Sequence, residues 1–494
     1  MNNAVVLPIF VPVLTGILLI LFMRSVRMQR WISGIGSLVT LLVTALLFYT
    51  VSTSGLQFLN MGGWAAPYGV VFVADTLASL LVLVSSVISV ACTFYAFHSI
   101  TEEREKHHFY VFFQFLMAGV NGSFLTGDLF NLFVCFELML ISSYALLVLG
   151  NTERQLRESL KYVLINMVSS SLLVIAIGYL YSVTGTINMA HLSVRVAEVG
   201  QDGILGVIAV LFLLIFSIKA GLFLFFWLSG SYAAPPALVT ALFAGLLTKV
   251  GLYAIVRVFT LIFYHDPGFT HALIGWMAGA TMLLGVIGAI AYKDVNKILV
   301  YNVVAGVGFV AFGMAAGNKL ALEGLMFYLI HDMIIKTLLF LLGGAIIAAA
   351  GTSNLSNMGG MIQKYPLLGW MFFITTLALA GVPPLSGFPG KLMLFEGGLD
   401  AGLYVLTAIA VIASFIMLYS LLRVFIYAFF GSDKTIHGGT TQISVNRLLA
   451  PAGFLFILII GIGVFAEVLY PAISTAAHVL IDPNLYINKV LKEW

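Results

Sequence analysis

Several ionisable side chains lie deep inside long apolar runs of this sequence, and side chains of these types can take part in acid–base chemistry. They are one glutamate, one histidine and four lysines: Glu137, Lys219, Lys249, His331, Lys336 and Lys391. An ionisable group at the centre of a lipid bilayer costs about 2.5–3.5 kcal/mol on the insertion scale. Residues kept at that cost usually face a polar or wet interior, where they bind and release ions or protons.

The chemistry that these types suggest is proton transfer. Burial disfavours the charged form of an ionisable group, and a nearby opposite charge restores it. Such groups can exchange protons near neutral pH without a cofactor, so we predict that these six residues form a proton relay. We expect no metal and no cofactor: Cys92 and Cys135 form no CxxC motif, and a single mid-membrane histidine is more often a core residue than a metal ligand.

Other charges near these runs have simpler interpretations. Arg257 and Arg423 lie near predicted helix ends, so we expect them to extend to the membrane interface. Asp75 stands near the start of its predicted helix and is a candidate helix cap or interfacial residue. Asp332 and Lys336 are four residues apart and could form a purely structural pair.

One apolar run is interrupted by prolines close to a lysine. The segment GVPPLSGFPGK, residues 381–391, cannot be an unbroken helix, because an internal proline removes a backbone bond and clashes with the preceding turn. Freed carbonyls at membrane depth are tolerated only inside protein or along a cavity. A second double proline, Pro235-Pro236, follows Lys219. Broken helices beside a charge mark ion paths in many transporters.

The composition predicts the elements that hold these residues. Of 494 residues, 61% are hydrophobic and 9% are charged, and the mean hydropathy is +1.09. So few charges cannot cover the surface of a water-soluble protein of this size. The formal net charge of +3 is too small to indicate a nucleic-acid partner. The chain also lacks GxxxxGK[ST] and HExxH motifs, which leaves ATP-driven transport and zinc proteolysis without visible machinery.

We predict an all-α polytopic membrane protein with about fourteen transmembrane helices, because a bilayer core needs about 20 apolar residues per helix. The predicted spans are residues 4–22, 31–53, 72–97, 109–127, 129–149, 161–183, 205–228, 235–259, 271–292, 298–316, 322–349, 366–396, 402–430 and 450–470. The twelfth contains the proline break, so at least one helix is discontinuous. We treat residues 1–494 as a single membrane domain with two five-helix repeats, 109–259 and 271–430.

Charge asymmetry gives the predicted orientation, since cytoplasmic loops are enriched in Lys and Arg. With the N-terminus outside, thirteen basic residues lie on inward loops: Arg24, Arg27, Arg30, Arg104, Lys106, Arg154, Arg157, Lys161, Lys293, Lys297, Lys364, Lys434 and Arg447. Four lie on outward segments: Arg195, Lys319, Lys489 and Lys492. We therefore expect both termini outside.

Several spaced segments resemble one family of membrane proteins. They are TGDLFNLFVCFELMLISSYALL, KAGLFLFFWLSGSYAAPP, ALFAGLLTKVGLYAIVR, AYKDVNKILVYN and LALAGVPPLSGFPGKLML. These resemble the antiporter-like subunits of respiratory complex I and of Mrp-type multi-subunit sodium/proton antiporters, over roughly residues 70–430. The chain length, GDLFNLFVCFE and GTSNLSNMGGMIQKYPLLGW are most similar to the D-type component of Mrp antiporters.

The resemblance implies fourteen helices in inverted five-helix repeats, two of the helices being discontinuous. It also implies, motif by motif, roles for the same six residues: Glu137 and Lys219 as one half-channel switch, Lys249 with His331 and Lys336 as a lateral path, and Lys391 as the terminal group. The sequence departs from the family pattern where no proline separates Lys219 from Trp227, and where Ser229 follows Leu228. These departures leave open whether helix seven is broken.

The function expected from this resemblance is an ion-translocating subunit of a cation/proton antiporter in the bacterial cell membrane, a secondary transporter rather than an enzyme. Its expected partners are other hydrophobic subunits, the lipid bilayer, and the transported protons and sodium. The nearest alternative is a proton-pumping subunit of complex I or of a membrane-bound hydrogenase. A membrane enzyme acting on lipids or quinones would need polar residues clustered at one interface, and a passive scaffold would tolerate replacement of the buried charges.

Overall fold

The computed structural model describes residues 2–432 and 445–491 of the chain. Helix dominates both ranges. Two of the basic residues used for the predicted orientation, Lys434 and Lys492, lie outside the described residues.

The elements of the first half alternate long apolar helices with short connections. In chain order they are α1 Leu7–Leu21, α2 Val26–Ser54, β1 Gln57–Asn60, β2 Val71–Ala74, α3 Thr76–Ser99, α4 Glu102–Lys106, α5 Phe109–Leu125, α6 Leu129–Val148, α7 Glu153–Thr184, α8 Met189–Val199, α9 Ile204–Ala220, α10 Leu228–Ser231, α11 Ala237–Leu242 and α12 Thr248–Leu261. Residues 243–247 join α11 to α12 as a π-helical segment.

The second half also alternates long apolar helices with short connections. Its elements are α13 Pro267–Ala291, α14 Val295–Ala316, α15 Lys319–Ala350, α16 Pro366–Ala380, α17 Gly387–Asp400, α18 Tyr404–Phe429, α19 Val445–Val464, α20 Ala466–Ile481 and α21 Pro483–Val490. Within the described residues, ten helical stretches are long and apolar enough to cross a membrane, and five shorter apolar helices accompany them.

The centre of the molecule is α15, whose residues are almost all buried. Its neighbours include α14, α16, α17, α19, α20 and α3. The continuous stretch Ala237–Leu261 is also buried along its length. Lys249 and Lys336, two of the predicted relay residues, therefore lie on enclosed helices, while other helices expose apolar side chains outward.

Two chain reversals repeat one capping pattern. Asp128 caps α6 by accepting a hydrogen bond from the Asn131 amide, and it forms a β-bridge with Asn188. Asp294 caps α14 through the Lys297 amide and bridges Asn354. A capping carboxylate satisfies one of the free amides at a helix start. Asp75 caps α3 in the same way, as predicted.

The helix boundaries differ from several predicted spans, and three of these differences are informative. Helix α7 begins at Glu153, because Thr152 and Gln155 form a capping box that apolar-run counting does not detect. The predicted span 205–228 ends as a helix at Ala220, and 450–470 is divided between α19 and α20. Apolar composition is continuous through these breaks, so hydropathy does not locate them.

A small antiparallel sheet accompanies the helices and was not predicted. Strands β1 and β2 pair Gln57 with Ala74 and Asn60 with Val71. Their segments carry Phe, Leu and Val and enclose a turn region rich in Gly and Pro, which suits a hairpin. The apolar strand residues resemble helix flanks, so the sequence prediction assigned part of them to the third span.

Two long helices are interrupted near lysines. After α9 the chain turns at Gly221, whose φ is +75°, and remains irregular to Trp227. After α16 it turns at Gly381, whose φ is +89°, before α17 begins at Gly387. Positive φ favours glycine, which lacks the Cβ that would clash. Helix seven is therefore broken, although it lacks the family's prolines.

Candidate functional site

Lys219 lies in the last turn of α9, next to the first break. Its Nζ donates to Ser170 Oγ at 3.0 Å and lies 5.1 Å from the centre of the Phe136 ring. Glu137, on α6, interacts electrostatically with Lys219. Its Oε1 is buried without a hydrogen-bond partner among the described residues. The two predicted partners are thus neighbours, but Lys219 hydrogen-bonds to a hydroxyl group.

Lys249 is completely buried and has a charged partner on α15. Its Nζ lies 2.8 Å from Asp332 Oδ2 and donates to the Ala244 carbonyl at 2.7 Å. Ala244 belongs to the π-helical segment, where the backbone pairing shifts and functional sites are frequent. Gly245 lets that segment approach α15, since a Cβ there would collide with Thr337 Oγ1.

Lys336 shares the same carboxylate. Its Nζ lies 3.6 Å from Asp332 Oδ1 and donates to the Asn302 carbonyl at 2.8 Å. Asn302 in turn donates from Nδ2 to Ser420 Oγ on α18 at 3.0 Å. One carboxylate therefore lies between two lysines at the centre of the fold, and α12, α14, α15 and α18 meet around it.

His331 and Lys391 adjoin the second break. His331 Nδ1 is 2.8 Å from Ser386 Oγ, and its Nε2 has no hydrogen-bond partner among the described residues. Lys391 Nζ donates to the Ala380 carbonyl at 3.2 Å and to Ser414 Oγ at 2.5 Å. Ala380 is the last residue of α16, so Lys391 pairs with a carbonyl at a helix C-terminus.

A cavity of about 260 Å³ reaches Lys391 between the break and α18. Gly381, Pro383 and Ser414 line it with several apolar side chains. Lys391 Nζ also lies 4.7 Å from the centre of the Phe309 ring. Lys391 thus borders a small cavity and also interacts electrostatically with Lys336 and Asp332.

Of the six predicted residues, Glu137 is half-buried and the other five are buried. The structure brings Glu137 close to Lys219, and Lys249 close to Lys336 around Asp332. It also adds residues that the sequence prediction left out. Asp332 is the most important, because Lys249 and Lys336 both contact it, while the sequence suggested only a local pair with Lys336. Its position in an apolar run was a usable signal. The hydroxyl partners Ser170, Ser386 and Ser414 carried none, since serine is common in membrane helices.

Arg257 corrects another prediction. It does not extend to the interface: it is 3% exposed, and its Nη2 lies 2.6 Å from Asp75 Oδ2. Its guanidinium also packs over the Tyr253 and Tyr486 rings at 5.4 and 5.2 Å. Position near a helix end did not reveal that Asp75, at the start of α3, and Tyr486, on α21, cover Arg257. Arg423, in contrast, donates to the Ala289, Ile290 and Tyr292 carbonyls at the end of α13.

Among the described residues, no group of three or more His, Cys, Asp or Glu side chains could hold a metal ion. The site consists of lysines, single carboxylates, one histidine and hydroxyl groups. Its donors and acceptors suit the transfer of protons between neighbouring side chains and water.

Comparison with known proteins places this geometry in a family. The family described as "NADH:quinone oxidoreductase/Mrp antiporter, TM" matches residues 126–468. The chain is 50% identical, over the full length of both proteins, to the D-type component of the Na(+)/H(+) antiporter of Bacillus subtilis (strain 168).

Two solved structures have the same fold over nearly the whole chain. One is the Mrp complex from Dietzia sp. DQ12-45-1b, with a TM-score of 0.91, 29% identity, and coverage of 99% of this chain and 100% of that one. The other is an archaeal membrane-bound sulfane sulfur reductase, with a TM-score of 0.92, 26% identity and the same coverage. These matches, together with the apolar helices, identify a multi-pass membrane protein.

Proposed function

We propose, from the premise that this chain belongs to the NADH:quinone oxidoreductase/Mrp antiporter family, that it is the ion-translocating D-type component of a multi-subunit sodium/proton antiporter in the bacterial cell membrane. It acts as a secondary transporter together with other hydrophobic subunits. Inward proton flow through this chain drives sodium outward.

The observation that carries the proposal is the buried band of ionisable groups. Lys219, Lys249, Lys336 and Lys391 are each at most 6% exposed. They lie at the two helix breaks and between them, and Asp332 joins the central pair. Such an arrangement is costly in a membrane, and Asp332 gives a proton on Lys249 or Lys336 a neighbouring acceptor.

The relay has three parts. Glu137 and Lys219 form the switch at the first break. Lys249 and Lys336 exchange protons laterally through Asp332, with His331 beside them. Lys391 is the terminal group at the second break. A unit charge moved across 100 mV carries about 2.3 kcal/mol, similar to the cost of one buried charge, so the membrane potential can bias the relay.

The overall arrangement that we propose is a single membrane domain of about fourteen helices with inverted five-helix repeats, 109–259 and 271–430, and both termini outside. Two features support the repeats. Asp128 caps the second helix of the first repeat and Asp294 caps the second helix of the second repeat, and each forms a bridge with an asparagine, Asn188 or Asn354. Each repeat also contains one break beside a lysine, at Gly221 and at Gly381.

A second candidate is a proton-pumping subunit that redox partners energise. The likeness to a chain of an archaeal respiratory membrane complex favours it specifically. The relay residues would do the same work, with energy from electron transfer in other subunits. Purification of the intact complex separates the two: small hydrophobic subunits support the antiporter, and iron–sulfur proteins support the pump.

The test of the relay is Glu137→Gln in everted vesicles that contain the whole complex. Glutamine keeps the shape of the side chain and cannot exchange a proton, so we expect sodium-dependent proton flux to fall at least about tenfold while the complex assembles. Glu198→Gln, at an exposed position on α8, is the matched control and should keep normal flux. Full flux with Glu137→Gln would contradict the relay.

A further inference from the structure

Helix α7 has a polar buried face and an apolar exposed face. Its buried positions include Glu158, Tyr162, Asn166 and Ser170, which are spaced four apart. The opposite face exposes leucine, methionine and valine side chains: Leu160, Leu164, Met167 and Val168. Polar groups buried on a membrane helix are expensive, so this face requires a reason beyond packing.

One end of the polar face opens into a charged vestibule. This cavity of about 750 Å³ is lined by the first turns of α7, by residues 226–230 after the first break, and by the start of α14. Its lining carries five basic and three acidic side chains. Glu158 is 8% exposed, and its Oε1 lies 3.0 Å from Lys161 Nζ and 3.5 Å from Arg157 Nε.

The backbone after the break is shaped around Glu158. Gly230 lies against the carboxylate, and a Cβ at this position would collide with Glu158 Oε2. Ser231 Oγ donates to the Glu158 carbonyl at 3.3 Å. The Glu158 carboxylate, on α7, is therefore held against the segment that follows the first break.

The other end of the polar face contacts Lys219, a residue of the proposed relay. Ser170 Oγ accepts the hydrogen bond from Lys219 Nζ at 3.0 Å. Between the ends, Tyr162 hydroxyl is 3.1 Å from Ser143 Oγ on α6, and Asn166 Nδ2 donates to the Tyr162 carbonyl at 2.9 Å. Tyr144 packs against Tyr162 and interacts electrostatically with both Tyr162 and Glu137.

These polar groups are close enough together for proton transfer through water. Side chains four residues apart on a helix have Cβ atoms about 5–6 Å apart, and a single water molecule can bridge polar groups at such spacings. From Glu158 to Ser170 the helix rises about 18 Å, which spans more than half of a bilayer core of about 30 Å.

We propose that Glu158 and the polar face of α7 form the route by which protons pass between Lys219 and the cytoplasm. This inference rests on the proposed function, since it names the cytoplasmic end of the same relay. Glu158 takes the proton from the Tyr162 end and releases it to water in the vestibule. The excess of basic groups in the lining disfavours sodium there, so the route serves protons.

The experiment measures antiport in everted vesicles containing the whole complex. Glu158→Gln removes the proton acceptor, and Tyr162→Phe removes only a hydroxyl while keeping the ring contacts. We expect each to lower the maximal rate at least about tenfold, with the sodium concentration for half-maximal rate unchanged. Glu158→Asp, which restores a carboxylate, should recover much of the rate.

Two matched controls exclude general effects. Glu102 is an exposed carboxylate on α4 that pairs with Lys106 at 3.0 Å, the same distance as the Glu158–Lys161 pair. Tyr179 is exposed on α7. Glu102→Gln and Tyr179→Phe should transport normally. If Glu158→Gln does not assemble, Tyr162→Phe decides: slow transport supports the route, and normal transport overturns it.

Lys219→Ala, measured in parallel, separates this inference from the proposed function. Normal transport in assembled Glu158→Gln, with Lys219→Ala inactive, overturns the α7 route and leaves the relay intact. Normal transport in Lys219→Ala contradicts the relay itself.

Discussion

Asp332 determines the charge balance at the centre of the protein. It is fully buried and lies within 3.6 Å of two lysines, Lys249 and Lys336. Removing one member of a buried pair is costly because it leaves an uncompensated charge. In the proposed relay, a proton that leaves either lysine would therefore change how strongly Asp332 holds the other lysine, and this would couple the two.

Lys391 is the residue where a structural role and a shuttle role are hardest to separate. It donates to the carbonyl of Ala380 at the end of α16, which a fixed positive charge would also satisfy. Arginine keeps that charge but cannot be deprotonated in a protein. We expect Lys391→Arg and Lys391→Ala both to assemble and both to lose at least about tenfold in antiport, about 1.4 kcal/mol of barrier.

The outcome that refutes the shuttle role is near-normal transport by an assembled Lys391→Arg complex. If Lys391 only neutralises the break, Lys391→Ala should fail to assemble. Complex assembly is checked by co-purification of the other subunits, and transport by sodium-dependent proton flux in vesicles.

At the scale of elements, α17 is held against α15 by glycines. A Cβ at Gly390 would press on the Tyr328 backbone, and one at Gly397 would press on Ala321. Close backbone approach of this kind is typical of membrane helix interfaces. It holds the broken helix, and hence Lys391, at a set distance from His331.

Gly397→Ala tests this packing at a position away from the lysines. The added methyl would lie 2.5 Å from the Ala321 amide nitrogen, so we expect a loss of about 1–3 kcal/mol from overpacking and a lower unfolding temperature in detergent. Gly453→Ala on α19 is the control, since no atom lies within 4 Å of its added Cβ. That variant should be neutral or slightly stabilised; equal melting of the two would contradict the packing argument.

The breaks show how far the sequence predicts an element. The second break was predicted from its prolines, and Pro383 and Pro384 do interrupt the helix there. Pro389 instead lies in the first turn of α17, where a proline removes no helical hydrogen bond. The first break lacks such prolines, and the predicted span 205–228 crossed it. Gly221 turns the chain there, while Phe223 accepts a φ of +60° and its amide donates to Thr281 Oγ1 on α13 at 2.8 Å. That support comes from another helix, so local sequence could not indicate it.

At the scale of the whole molecule, orientation decides which end of the relay faces the cytoplasm. The positive-inside rule predicts that the segments around Arg27 and Arg154 are inside and that residue 202 is outside. Arg154 and Asp202 are exposed, Arg27 is partly exposed, and both native cysteines are buried. An impermeant thiol reagent should therefore label Arg27→Cys and Arg154→Cys only from the cytoplasmic side, and Asp202→Cys only from outside.

The measurement compares right-side-out with everted vesicles, and the chain without engineered cysteines measures background labelling. Labelling of Arg154→Cys from outside would mean that a span has been miscounted. It would also place the α7 vestibule on the wrong side of the membrane for the proposed route.

The sequence by itself determined the class of the protein and the residues of the predicted relay. Apolar composition requires membrane helices, and buried charges are conspicuous because each is costly in lipid. Glu137, Lys219, Lys249, His331, Lys336 and Lys391 were therefore recognisable one by one.

Only the tertiary structure decided which of these groups meet. Asp332 pairs with Lys249 on another helix, Arg257 is buried by Asp75 and Tyr486, and Lys219 donates to Ser170. Each partner is distant along the chain. Hydropathy indicates which segments are buried. Hydrogen bonds and ion pairs depend instead on which side chains face each other where helices pack, and only the packing of the helices establishes that.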